Sequence, residues 1–332
     1  MRRRQFTFSA LSLAALSYCK LSFADASDES NRVAQFPNHA MRLIVPLAAG
    51  GGTDLISRLS AAAMAQELGV AIAVENVAGG GGIIGVSTAV RSPPDGYTLV
   101  TGTPSLSVNP ALRKDLPFDP IADLAPVSML GKVPYVLVAS HQSGLTSIEQ
   151  LLDRARQAPD TVTFGSPGIG TGGHMAGELF KYMSGSKLLH VPYKGSGPAM
   201  NDLRAGRIDL LFGTTPLLSP LIDSQAVVPL GISSFKRSKH LPDVPTISES
   251  GVKDFDASSW YAIFVPTHTP QGIIKKLNQA ARAALAQPRV VQAIEMDGGE
   301  PEPSTPEQLS AFFIQEIDKW RKVVAAANIQ AK

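Results

Sequence analysis

A single cysteine, Cys19, occurs in the 332-residue sequence, and it falls in a segment expected to be removed. The mature chain is then without disulfide, thiolate metal site or cysteine nucleophile. Charged residues are scarce at 17% and aromatic residues at 6%. No basic footprint for nucleic acid emerges from so sparse a charge pattern. After the first 26 residues no run approaches ~18 consecutive apolar residues, so the mature protein is not expected to be membrane-inserted. Catalytic signatures are missing too: there is no G-x-S-x-G elbow, no H-E-x-x-H and no Gly-Lys-Ser/Thr P-loop ending. Ser184 to Lys187 and Ser233 to Lys236 match S-x-x-K without the companion Lys-Thr-Gly. His39, His141, His174, His190, His240 and His268 show no metal-ligand spacing. No metal and no cofactor are expected, and the chain is read as a non-enzyme.

What is present begins with an export signal. Arg2, Arg3 and Arg4 precede an apolar stretch from Phe6 to Tyr18, followed by Ala24-Asp25-Ala26. A basic start, an apolar run and a small-x-small site define a signal peptide over residues 1–26, and the mature protein is expected in the periplasm. Arg3-Arg4-Gln5-Phe6 also resembles a twin-arginine signal. Cleavage lowers Lys+Arg from 30 to 26 and Asp+Glu from 28 to 27, so the apparent basicity belongs to the leader. Residues 27–35 are polar and read as a flexible tether.

From Met41 strand and helix patterns alternate. Met41 to Val45, Ala71 to Glu75 and Tyr97 to Thr101 are expected strands, with a helix from about Asp54 stopping at Gly69 and carrying Leu55, Ile56, Leu59 and Ala63 on one face. The alternation returns at Val162 to Gly165, Leu189 to Pro192 and Ile208 to Phe212, with helices at His174 to Ser184 and Pro198 to Ala205, the latter capped by Ser196. Thr305-Pro306-Glu307-Gln308 is a capping box that opens a long last helix. Repeated βαβ units imply parallel sheets covered by helices. Tyr135 to Ala139 and Trp260 to Val265 are candidate crossing segments. They divide the chain into lobe I (36–136 and 259–332) and lobe II (137–258).

Two strand-to-helix loops are rich in glycine. In open α/β sheets, ligands bind beyond the carboxyl ends of strands. The first loop runs from Pro46 to Asp54, where Thr53 is a candidate helix cap. Unpaired N–H groups at a helix start favour an anion. A tight turn without ligand fits the spacing equally well. The second runs from Gly165 to His174. Gly168, Gly170 and Gly173 satisfy G-x-G-x-x-G, so a dinucleotide site competes. The acidic residue expected for a ribose is absent near His190 to Lys194. His174, at a helix start, reads as a structural hydrogen-bonder more readily than as a base.

Taken together the segments Ile44 to Asp54, Val74 to Leu99, Asn109 to Pro126, Gly165 to Phe180, Val191 to Phe212, Leu241 to Gly251 and Ser259 to Pro266 resemble the Bug/TctC family of extracytoplasmic solute receptors. The resemblance implies a two-lobed type II periplasmic-binding-protein fold, each lobe a mainly parallel sheet flanked by helices. It also implies a small carboxylate ligand, capture by a pincer of two loops, membrane transporter subunits as partners, and a monomer. The ligand-binding residues it carries over are Leu47, Ala48, Ala49, Gly50, Gly51, Thr53 and Asp54 on one loop, and Ser166, Gly170, Thr171, Gly172 and His174 on the other. Ser105, Tyr193, Lys194 and Thr214 are expected to complete the pocket. Gly213 follows Phe212 where many relatives have Asp, which disfavours a ligand amine unless another acid such as Asp54 substitutes. A receptor for a signalling partner shares the same chemistry, and a nucleotide-dependent or hydrolytic enzyme is the remaining alternative.

Overall fold

The computed structural model describes residues 31–329. The expected signal peptide, residues 1–26, lies outside them. Residues 31–35, expected as part of a tether, are helical instead. They are anchored: the Lys276 ammonium donates to the carbonyls of Val33 (2.6 Å) and Phe36 (2.8 Å), and Val33 packs on the adjoining core.

Strands β1 (Met41–Val45), β2 (Ile72–Asn76) and β3 (Thr98–Gly102) pair in parallel, with β1 in the middle. They are linked by α1 (Gly52–Leu68) and α2 (Ile83–Val90). Helix α3 (Pro104–Leu112) follows β3, and β4 (Leu124–Val133) completes the first passage. The chain then enters the second sheet through β5 (Tyr135–Ala139) and continues with α4 (Ile148–Gln157), β6 (Thr163–Ser166), α5 (Gly172–Ser184), β7 (Leu189–Pro192), α6 (Ser196–Arg204), β8 (Leu210–Thr214), α7 (Thr215–Asp223) and β9 (Val228–Ile232). It returns through β10 (Ser259–Pro266), α8 (Gln271–Ala284), α9 (Pro288–Met296), β11 (Glu300–Pro301) and α10 (Pro306–Ala326). The sheet orders are β11-β4-β10-β3-β1-β2 and β7-β6-β8-β5-β9.

Both sheets are mixed rather than mainly parallel. Strand β10 runs antiparallel to β3 and β4, and β5 antiparallel to β8 and β9. The reason is topological. A βαβ crossover makes parallel neighbours within one lobe. A strand arriving from the other lobe enters at the cleft-facing end and must run the opposite way.

Successive residues of the central strands feed opposite cores, as a period of two requires. On β10, Tyr261, Ile263 and Val265 join Leu43 and Leu99 under α1, α8 and α9. Trp260, Ala262 and Phe264 join Ile44 and Val100 under α2, α3 and α10. Burial on both faces accounts for the continuous apolar runs in the sequence. In the second sheet Leu137, Phe164 and Phe212 face α4 and α5, while Val136, Val138 and Leu211 face α6 and α7.

Some local expectations change. Leu55 is exposed, and Ile56, Ser60, Ala63 and Met64 form the buried face of α1. Gly51, not Thr53, holds the cap position of α1, and Gly195, not Ser196, that of α6; neither has a side-chain cap bond. The capping box of α10 forms as expected between Thr305 and Gln308. That helix does not stay in one lobe. Leu309, Phe313 and Ile317 pack in the first lobe's core, whereas Trp320, Val323 and Val324 pack with Phe164 and Leu210 in the second. The last turns of α10 thus strap the two cores together.

Candidate functional site

The two glycine-rich loops leave β1 and β6 and enter α1 and α5, and a common device shapes both. In the first, Gly50 has φ 93°, in the left-handed region, and its N–H donates to Asp54 Oδ2 at 3.0 Å. In the second, Gly170 has φ 79° and its N–H donates to His174 Nδ1 at 3.1 Å. In each case a side chain in the first helical turn reaches back four residues and pins a glycine that a larger residue would strain. Asp54 and His174 are therefore supports beneath the loops.

Asp54 is 6% exposed. Its Oδ1 also accepts from Arg58 Nε (3.0 Å) and Asn76 Nδ2 (2.9 Å), and the Asn76 amide reaches the Leu47 carbonyl. Burial by itself would raise the carboxyl pKa. The Gly50, Arg58 and Asn76 donors outweigh burial and hold it below the ordinary value. With its oxygens engaged, Asp54 is not an open partner for a ligand amine. Ala48 to Gly51 are exposed above it.

The second loop rests on two imidazoles. The His174 and His190 rings lie against each other at a tilt of 34°, with centroids 4.1 Å apart. Burial, then the neighbouring imidazole and the Lys181 ammonium, lower His174 to about 3. Burial and Lys181 lower His190 to about 4. Both rings are neutral at ordinary pH, so Nδ1 of His174 is free to accept from Gly170. His190 Nε2 lies 2.6 Å from Ser166 Oγ, which in turn meets the Gly168 backbone. The Ser166–His190 pair has the spacing of a nucleophile and base, yet Ser166 is fully buried and the imidazole is a weak base.

Tertiary structure also assembles a cluster that spacing did not reveal. His174, Glu178 and His190 place ligand-type atoms within 4.8 Å of one another. Their donors are committed elsewhere: Gly170 occupies His174 Nδ1, Ser166 occupies His190 Nε2, and the Lys181 ammonium lies 3.0 Å from both Glu178 oxygens. Ligation through His174 Nε2 would put the proton on Nδ1 and break the bond to Gly170. The cluster is a scaffold for the loop.

Beside the second loop lies a cavity of about 390 Å³, on whose lining no residue of the first loop stands. Ser105, Asn109, Leu112 and Arg113 line it from α3 and its end, Gly80 and Gly81 from the turn before α2, and Ile169, Gly170 and Thr171 from the second loop. Arg113 is the one charged side chain on this lining and is exposed. A larger cavity of about 610 Å³, with Lys132, Lys236 and Glu300 on its walls, contains no residue of either loop.

Of the remaining expected residues, Thr53 adjoins the Tyr261 hydroxyl. Gly172 leaves no room for a side chain, because its Cβ would collide with the Tyr135 hydroxyl. Tyr193 is turned to structural use: its hydroxyl donates to Asp202 at 2.7 Å, and burial first, then that carboxylate, push its pKa up to about 12. Lys194 is exposed, and Thr214 holds the cap position of α7 without a side-chain cap bond. The inference from Gly213 is corrected. A Cβ there would point into Leu218, 2.7 Å away, so position 213 faces helix α7 and is silent about a ligand amine.

Sequence reasoning did not single out Asn76, Asn109, Arg113 or Asp297, and it took Tyr135 and Tyr261 only as parts of the crossing segments. Asn109 and Arg113 were legible only as parts of a helix. They become cleft residues because α3 packs against both lobes, with Leu106 in one core and Val108 in the other.

Two α/β lobes joined by crossing strands, with paired helix starts opposed across a cleft, define the periplasmic-binding-protein class. Comparison with known proteins places the chain within it. The sequence profile of the tripartite tricarboxylate transporter family receptor, TctC, matches residues 56–329. Protein BugT of Bordetella pertussis is 36% identical over 90% of this chain and 92% of its own. Among solved structures, an R. palustris protein with adipate is 33% identical, with TM-score 0.72 over 89% of this chain and 99% of that one. MatC from Rhodopseudomonas palustris with bound malate is 30% identical, with TM-score 0.69 over 87% and 100%. The chain belongs to the TctC family of tripartite tricarboxylate transporter receptors.

Proposed function

We propose that this chain is a periplasmic receptor, not an enzyme, that closes its lobes on a small organic acid and presents the closed form to a membrane transporter. The observation that carries this is the matched pair of helix starts. Each loop is pinned from below by one side chain, which fixes its shape and leaves the partial positive end of its helix toward the cleft. Ser105 and Asn109 supply neutral polar groups, and Arg113 supplies a cation. Leu112 and Ile169 provide apolar wall for the body of the ligand. The relatives solved with adipate and malate support acids of this size. Export through the N-terminal segment and action as a monomer belong to the same proposal.

A ligand touching both lobes favours the closed state by its differential contacts. Thermal unfolding and titration calorimetry with malate, adipate and aromatic acids test this, on protein stripped of co-purified solute by unfolding and refolding. A true ligand at ~100 times its Kd adds about 2.7 kcal/mol of stability. Failure of every acid in that panel to shift the transition would count against the carboxylate reading.

A further inference from the structure

Asp297 lies in the turn between α9 and β11. Its carboxylate presses on the start of the first jaw helix: a Cβ on Gly52 would stand 2.5 Å from Oδ1. The Tyr261 hydroxyl donates to Oδ2 at 2.5 Å. Tyr135, on β5, acts electrostatically on the same carboxylate, and its hydroxyl fills the space beside Gly172, the first residue of the second jaw helix. Asp297 thus sits against the N-terminal end of α1, and Tyr135 links it to the start of α5, the two helix ends to which the carboxylate reading brings the ligand's charge.

Among the described residues Asp297 makes no ion pair, and no cation contributes to its ionisation. The groups that face it are Tyr261 from β10, Tyr135 from β5 and, beside Tyr261, the Thr53 hydroxyl from α1. Glu316 of α10 acts on Tyr135 and is itself paired with Lys319 and bonded by the Trp320 indole N–H. Asp54 turns its carboxylate to Gly50, Arg58 and Asn76. Burial pushes the Asp297 carboxyl up, and the Tyr261 bond only partly opposes this. A second anion brought to the start of α1 meets the like charge of Asp297, with which no lysine or arginine is paired among the described residues. Two carboxylates sharing a confined site do not both stay ionised.

We propose that Asp297 is a proton-binding site coupled to ligand capture: closure on an acid is accompanied by uptake of one solvent proton on Asp297. The inference rests on the carboxylate reading of the cleft. In balance, a ligand carboxylate, the Asp297 carboxylate and one proton from water become a bound carboxylate and a neutral Asp297 carboxyl. The only bond formed is O–H, on Oδ1, the oxygen that the Tyr261 hydroxyl leaves open. The neutral carboxyl is a donor where the charged one was only an acceptor. The receptor therefore carries acid and proton together.

Calorimetric titration of malate and adipate, in buffers of unequal ionisation enthalpy between about pH 5 and about pH 8, counts the protons taken up and follows the affinity, which at full coupling falls about tenfold per pH unit. The expected result is net uptake by the wild type and its loss in Asp297→Asn, which keeps an acceptor for Tyr261. Tyr261→Phe removes a bond that favours the ionised form, and is expected to shift the uptake profile to higher pH. Binding without proton uptake, or uptake that persists in Asp297→Asn because the ligand or an imidazole titrates instead, overturns the proposal while leaving the carboxylate reading intact. Absence of binding by the wild type at every pH overturns both.

Discussion

Mild acid should destabilise this protein through the two imidazoles under its second jaw. His174 and His190 have an ordinary value of 6.5 and are lowered in the folded chain to about 3 and about 4. A depressed histidine pKa means that the unfolded chain binds protons which the folded one refuses. The stability from neutral burial is therefore complete above pH 6.5 and is lost as pH falls toward the folded values. One pKa unit corresponds to about 1.4 kcal/mol, so each imidazole contributes a slope of up to about 1.4 kcal/mol per pH unit. From pH 6.5 to about pH 5, that is about 2 kcal/mol per ring and of order 4 kcal/mol for the pair. The window stops before the carboxylates titrate in the unfolded chain. A loss of this size is a large part of a typical domain's stability of about 5–15 kcal/mol. Urea unfolding of the wild type, His174→Gln, His190→Gln and the double variant at several pH values in this window measures it. Each single variant should lose part of the slope, and the double variant most of it. A wild-type stability that is flat across the window, or a slope that survives in the double variant, would refute the burial argument for these rings.

The supports of the first jaw and the cleft lining lead to further expectations. Asp54→Ala leaves the Gly50 N–H and the Arg58 and Asn76 donors without their acceptor; a cost of about 1–3 kcal/mol in urea unfolding is expected, with weaker acid binding by calorimetry. Arg113→Ala removes the one charge on the cleft lining, so affinity for a dicarboxylate should fall by about tenfold while a monocarboxylate of similar size loses less, as one exposed charge-assisted bond predicts. Gly172→Ala drives a methyl group into the Tyr135 hydroxyl at the lobe junction; small-angle scattering should show a more open particle with acid present, and affinity should drop with little change in the circular dichroism spectrum.

The alternation of strand and helix was legible because apolar runs and caps are local signals. Gly69 ends α1 in the left-handed conformation, and the Thr305 box opens α10, as their residue types demand. The two glycine-rich loops were legible for the same reason. The direction of β5 and β10 was not, since an antiparallel or parallel partner leaves the same buried run. Nor was the path of α10 across both lobes: Phe313 and Trp320 belong to one helical stripe, and nothing in the period says that the stripe meets two cores.

The site divides along the same line. The sequence by itself determined two helix starts with glycine at each, because a loop that turns sharply into a helix needs residues tolerant of positive φ, and Gly50 and Gly170 adopt it. It also left the described residues without a cysteine, a matter of residue type alone. Tertiary packing set the rest: Asp54 and His174 face down into the loops they support, Gly213 points into α7, Arg113 lines the cavity by the second loop, and Asp297 lies against the start of α1. Side-chain direction and neighbouring charge are set by how the two lobes pack on each other, and those are the quantities that fix where an anion can rest and whether a proton must come with it.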